Sequence, residues 1–108
     1  MASTHIQELS TATFDAAVAK GVVVIDFWAP WCGPCKMMAP VFEAVATAMA
    51  GKATFAKVNI DDAGDLAAKF GVRSIPTLIV LKDGQAVATK VGLTRQEELT
   101  ELVKKQLG

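Results

Sequence analysis

Cys32 and Cys35 are the only cysteines of this 108-residue chain, and Gly33 and Pro34 are the two residues between them. Thiols at that spacing admit four chemistries: a structural disulfide, half of a metal site, an inert pair, or a redox pair that opens and closes. Structural zinc takes four ligands, and catalytic zinc takes three plus an open position. The chain adds one histidine, His5, in an N-terminal stretch that reads as frayed, so ligand count argues against any metal. Structural disulfides belong to oxidising compartments. Met1 to Ser10 has no basic start followed by an apolar run, so no signal peptide is expected. Apolar runs such as Val22–Ile25 fall far short of the roughly 20 residues that cross a bilayer. The expectation is a cytoplasmic protein without membrane contact, where a permanent disulfide is disfavoured.

The surrounding elements decide what the thiols do. Val22-Val-Val-Ile-Asp-Phe-Trp28 is β-branched and aromatic, and apolar on both faces except at Asp26, as a central strand covered on both sides would be. Pro34 suits the first turn of a helix running to about Met49, with Met38, Val41, Phe42 and Val45 on one stripe. Pro40 lies inside that helix and is expected to kink it. Cys32 therefore stands at a helix N-terminus, where unpaired N–H groups and the dipole favour an anion. A thiolate there is stabilised and becomes the better nucleophile. Cys35 lies one turn deeper on the same face, and Gly33 leaves the Cys32 sulfur uncovered. On these grounds the redox reading prevails over metal, staple and inert pair.

Further along, Ala53–Ile60 and Thr77–Leu81 read as strands. Asp83-Gly84, between Thr77–Lys82 and Gln85–Val91, is the two-residue signal of a tight hairpin. Phe14, Ala17 and Val18 form a helical stripe that Thr11 or Thr13 could cap, and Asp65–Phe70 is a short helix stopped by Gly71. The last helix is expected to start with a capping box, Thr94 and Glu97, and to bury Leu99, Leu102, Val103 and Leu107. The order is βαβαβαββα, an α/β domain ending in an antiparallel hairpin, with no linker or repeat to divide residues 1–108.

Two charged residues interrupt the apolar strands. Asp26 is costly when ionised in such a strand, so its pKa should rise; it is either a base or proton relay for Cys35, or a structural carboxylate. Lys57, between Ala56 and Val58, could approach Asp26 from a neighbouring strand or extend its head to solvent. Trp28, ending a buried strand, is expected to pack beneath the site. X–Pro bonds are mostly trans, and nothing local sets Pro76 apart.

Trp31-Cys-Gly-Pro-Cys-Lys36, preceded by Asp26-Phe-Trp-Ala29 and followed by Pro40, resembles the thioredoxin family. The likeness runs from about Phe14 to Leu107 and includes Asn59-Ile-Asp61, Ile75-Pro76-Thr77, Asp83-Gly84 and Gly92. Gly33-Pro34 is closer to thioredoxins than to glutaredoxins or disulfide isomerases. Departures are small: Asp62-Ala-Gly-Asp65 stands where a proline-containing loop is common, and Leu81 where an aromatic is common. The resemblance implies the thioredoxin fold, a mixed sheet of about five strands flanked on both faces by about four helices. It implies a relay role for Asp26 with Lys57 beside it, a cis Pro76 facing the cysteines, and structural support from Trp28 and Pro40. Trp31, Pro34, Ile75, Pro76, Thr77, Gly92 and Leu93 would form the surface for an extended substrate segment. The activity implied is that of a disulfide reductase with no bound cofactor beyond its own Cys32–Cys35 disulfide. Its partners would be disulfide-containing proteins and an NADPH-linked flavoprotein, thioredoxin reductase.

Lys plus Arg and Asp plus Glu each number 11, so the chain lacks the basic excess of a nucleic-acid binder. Partners must then be read by shape and apolar contact, and a monomer is expected. Two rival readings share the fold: a redox-independent binding or chaperone subunit, and a disulfide oxidase or isomerase with a more oxidising pair.

Overall fold

Strand β2, Val22–Trp28, is the axis of the molecule, and every residue in it but Trp28 is buried. The structure is a computed structural model that describes residues 5–107. Met1–Thr4 and Gly108, the two ends of the expected domain and the start of the segment read for a leader, lie outside the described residues. Five strands form one sheet in the order β1-β3-β2-β4-β5: β1 Ile6–Leu9, β3 Thr54–Asn59, β4 Thr77–Lys82 and β5 Gln85–Val91 join β2. β1, β3 and β2 run parallel, and β4 is antiparallel to both of its neighbours, β2 and β5. Helices α1 Thr11–Val18, α2 Gly33–Ala48, α3 Gly64–Lys69 and α4 Gln96–Leu107 complete the order βαβαβαββα. Mixed sheet and helix count match the expected thioredoxin fold.

Because side chains alternate along a strand, β2 feeds two cores. Val23, Ile25 and Phe27 join Phe14 and Val18 of α1 and Leu66 and Ala67 of α3. Val22 and Val24 join Met38, Phe42 and Val45 of α2 and Leu99 and Val103 of α4 on the other face. This two-sided cover is why β2 lacks the polar alternation of a half-exposed strand. The hairpin is the tight one expected: Asp83 and Gly84 both take positive φ, 50° and 85°, and Lys82 pairs with Gln85.

Several local readings change. The N-terminal segment is not frayed from residue 6 onward, since Ile6–Leu9 pairs with Phe55–Val58. Helix α1 is capped by Ser10 rather than by Thr11 or Thr13. Ser10 Oγ accepts from the Thr13 amide at 3.3 Å, and the Thr13 hydroxyl accepts from the Ser10 amide at 3.0 Å. The Thr94–Glu97 box does not form. Thr94 instead donates to the Gly92 carbonyl at 3.1 Å, and Glu98 approaches the Arg95 amide at 3.5 Å. Leu107, read as core, is 36% exposed in the final turn of α4. Pro40 stands inside α2, as the sequence reading has it.

Ser10→Ala should therefore destabilise the protein by about 1 kcal/mol, while Glu97→Ala should stay within about 0.5 kcal/mol. Urea midpoints of the two variants check this; equal losses would restore the Thr94–Glu97 cap.

Candidate functional site

The chain leaves β2 at Trp28 and turns within three residues, the Cys32 amide donating to the Ala29 carbonyl at 3.1 Å. Cys32 is the N-cap of α2, with extended dihedrals of −90° and 111°. Its Sγ takes the place usually held by a serine or aspartate oxygen, accepting from the Cys35 amide at 3.1 Å. Cys35 lies one turn on, Cα 5.2 Å from Cys32, and the two are joined in a disulfide. The pair is the redox-active disulfide of the chain, and among the described residues no cluster of three His, Cys, Asp or Glu could hold a metal.

Gly33 has ordinary backbone dihedrals, and a Cβ built on it meets nothing within 4 Å. A side chain at 33 would project into open space. Gly33 is part of the lining of a cleft of about 430 Å³ formed by Trp31–Pro34, Ile60 and Val72–Ile75. The Cys32 sulfur lies 3.8 Å from the Ile75 carbonyl, so the two rims of the cleft meet at the disulfide.

The loop carrying Ile75 is held from behind. The Ile75–Pro76 bond is cis, as the resemblance implied. Thr77, placed with the substrate surface in the sequence reading, is buried, and its hydroxyl donates to the Ser74 carbonyl at 2.6 Å. The Pro76 carbonyl accepts from the Gly92 amide at 2.8 Å, which ties in the β5–α4 loop; Gly92 adopts φ of 89°, a region glycine enters freely. Leu93, beside it, is 51% exposed. Trp31 is 66% exposed, yet its indole N–H donates to the Asp61 carboxylate at 3.1 Å, and the Asp61 amide donates to Asn59 Oδ1 at 2.9 Å. Asp61 had been read only as part of a family motif, and Val72, Arg73 and Ser74 had not been read at all. The Asn59-x-Asp61 spacing, which favours a side-chain-closed turn, was the available signal for Asp61.

Beneath the disulfide, Trp28, Ile60 and Ile75 pack on Ala29, Cys32 and Cys35. Asp26 is completely buried, and neither carboxylate oxygen has a hydrogen-bond partner among the described residues. Burial, the largest influence, pushes its pKa up to about 7; Lys57 pulls it down and Glu8 adds to the rise. Lys57 is the register partner of Asp26, half-buried, with its ammonium 5.3 Å from the centre of the Trp28 ring. The sequence leaves open a head in solvent or one near Asp26; the fold sets Lys57 in register with Asp26 and its ammonium over the Trp28 ring. Pro40 lies outside this constellation, five residues beyond Cys35 in α2.

Comparison with known proteins agrees with this geometry. The family model described as Thioredoxin matches residues 5–105. Proteins named Thioredoxin from Bacillus subtilis (strain 168) and Staphylococcus aureus (strain Mu50 / ATCC 700699) are each 50% identical over 102 residues, covering 94% of this chain and 98% of theirs. With a cysteine-capped helix, a closed Cys32–Cys35 disulfide and this likeness along nearly its whole length, the chain belongs to the thioredoxin family and is a thiol–disulfide oxidoreductase with protein-disulfide reductase activity.

Proposed function

We propose that Cys32 is the attacking thiol, Cys35 the resolving thiol, and Asp26 the proton partner of Cys35. The observation that carries this reading is the Cys35 amide directed at Cys32 Sγ, at the mouth of an open cleft. In the reduced protein that amide and the helix dipole stabilise a Cys32 thiolate. The thiolate attacks one sulfur of a target disulfide; a Cys32–target bond forms, the target S–S bond breaks, and the second target sulfur leaves as thiolate. The Cys35 thiol passes its proton to Asp26, and its sulfur attacks Cys32 Sγ. The Cys32–Cys35 bond forms, the mixed disulfide breaks, and the first target sulfur leaves and is protonated. The target gains two electrons and the pair loses two.

A pKa near 7 suits Asp26 to this transfer, because a proton partner works best when it titrates near the working pH. Lys57 holds the carboxylate from being locked in the neutral form. The exposed Trp31 and Leu93 and the Ile75 carbonyl form the docking surface, where a short extended segment of the target could pair with the Ile75 backbone. Thr77, Gly92 and the cis Pro76 shape this surface from behind.

Disulfide-bearing proteins are the substrates in this reading. A thioredoxin reductase drawing on NADPH through flavin returns the electrons, and residues 1–108 act as one monomeric domain in the cytoplasm. The curated relatives named Thioredoxin support this setting, and no helix of the described residues is long and apolar enough to cross a membrane. A purely binding role is the alternative of a different class.

Cys35→Ser should trap targets as stable mixed disulfides on Cys32, and Cys32→Ser/Cys35→Ser should lose insulin-disulfide reduction altogether. Retained cellular function in the double variant would favour the binding role. Equilibration with glutathione separates the oxidase reading, since a strongly oxidising couple would contradict a reductase.

Asp26 also makes a prediction about stability. The unfolded carboxyl titrates near 3.8 and the folded one near 7, so the folded state holds the extra proton between those values. Stability from this group is fully present below about pH 4, falls as pH rises, and is lowest above pH 7, by roughly 4 kcal/mol. Asp26→Ala should therefore stabilise the protein by about 2–4 kcal/mol at pH 8 after a small cavity cost, and by far less at pH 4. The same variant should slow release of mixed disulfides. Denaturant unfolding at both pH values, with single-turnover release, measures this, and an equal effect at pH 4 and 8 would reject the buried charge.

A further inference from the structure

Asp26 shares its cross-section of the sheet with other charges. Strand register aligns one residue from each strand: Glu8 of β1, Lys57 of β3, Asp26 of β2, Leu78 of β4 and Lys90 of β5. Register partners project to the same face, here the one covered by α2 and α4. On one side of Asp26 the row runs outward through half-buried Lys57 to exposed Glu8. On the other side, uncharged Leu78 separates Asp26 from Lys90, which is paired with Glu98 of α4 at 3.3 Å. Helix α2 buries Cys35, Met38 and Phe42, while its charged Lys36 and Glu43 lie outside that stripe; α4 buries Leu99 and Val103. The charges facing Asp26 are therefore Lys57 and, beyond it, Glu8.

One ammonium thus stands between two carboxylates. Glu8 lies two strand spacings from Asp26, about 10 Å, with Lys57 in register between them. Its negative charge opposes ionisation of Asp26 directly and competes for Lys57, and both effects have the same sign. Glu8 also borders, with Trp28 and Asp62, an open cleft at the end of β1, so its own proton exchanges with solvent. Although the residue as a whole is exposed, partial desolvation of its carboxyl, the largest influence, holds Glu8 above its ordinary value; Lys57 lowers it and Asp62 raises it.

We propose that Glu8 is a positioning residue for the redox step: by sharing Lys57 with Asp26 across the row, it sets how readily Asp26 takes and gives the Cys35 proton. The role rests on Asp26 being the proton partner of Cys35, and the test separates the two claims. In the oxidised protein, where neither cysteine titrates, the Asp26 carboxyl carbon is followed by NMR against pH. Glu8→Gln should lower its midpoint by about half a pH unit. Glu8→Lys should lower it further, Glu8→Asp should hold it near the wild-type value, and Lys57→Met should raise it. A midpoint unmoved by both Glu8→Gln and Glu8→Lys overturns the proposal, whatever Asp26 does in turnover. Single-turnover release of a mixed disulfide is then measured against pH. Its acid limb should move with the Asp26 midpoint in Glu8→Gln, and the effect should vanish in an Asp26→Asn background. A midpoint that moves while the release profile stays still overturns the relay reading of Asp26 and, with it, the part of Glu8 in turnover.

Discussion

The hydrogen bond from the Cys35 amide to Cys32 Sγ organises the active end of this molecule. It makes a sulfur the cap of a sixteen-residue helix, and in doing so places that sulfur where unpaired donors and the helix dipole favour negative charge. The cap requires α2 to begin immediately after β2, within the turn closed by the Cys32 amide and the Ala29 carbonyl. That turn in turn requires β2 to be anchored, which its cover on both faces accomplishes. The Cys32 sulfur is thus held between the most deeply buried strand of the fold and the helix packed on it.

Against that apolar anchoring, Asp26 is a local conflict between stability and chemistry. A hydrophobic residue would suit the site better, since the carboxylate is fully buried without a hydrogen-bond partner among the described residues. Its neighbours moderate the conflict instead of removing it. Lys57 supplies a positive charge one strand away, partly turned to the Trp28 ring, and Glu8 opposes it from the sheet edge. Burial raises the carboxyl to about 7, with Lys57 opposing the rise and Glu8 adding to it.

The mouth of the cleft and the loops beside it show a similar division between exposed groups and the groups that support them. Trp31 and Leu93 present large apolar areas to solvent, while Asp61 fixes the indole and the Thr77 and Gly92 hydrogen bonds fix the Ile75–Pro76 loop. As the docking surface proposed above, a few apolar groups and the Ile75 carbonyl would suit a protein that reads many extended segments and little else of their sequence.

The chain's residue types and local spacing determined the parts that depend on near neighbours. Cys32-Gly-Pro-Cys35, the apolar run of β2, the stripe of α2 and the Asp83-Gly84 turn were all legible, because helix caps, periodicity and tight turns are set within a few residues. The same logic misled at helix ends, where several candidates compete: Ser10 displaced Thr11 and Thr13, and Thr94 turned back to Gly92. Strand β1 could not be bounded at all, since its four residues gain their order from pairing with β3 and from packing of Ile6 and Leu9 on the two cores. What the tertiary structure alone decided is how distant segments meet: Ile75 against Cys32, Asp61 beneath Trp31, and Glu8, Lys57 and Asp26 in one row. Register across parallel strands is fixed by crossovers through the helices and by packing of both faces, so no local pattern in any one strand contains it.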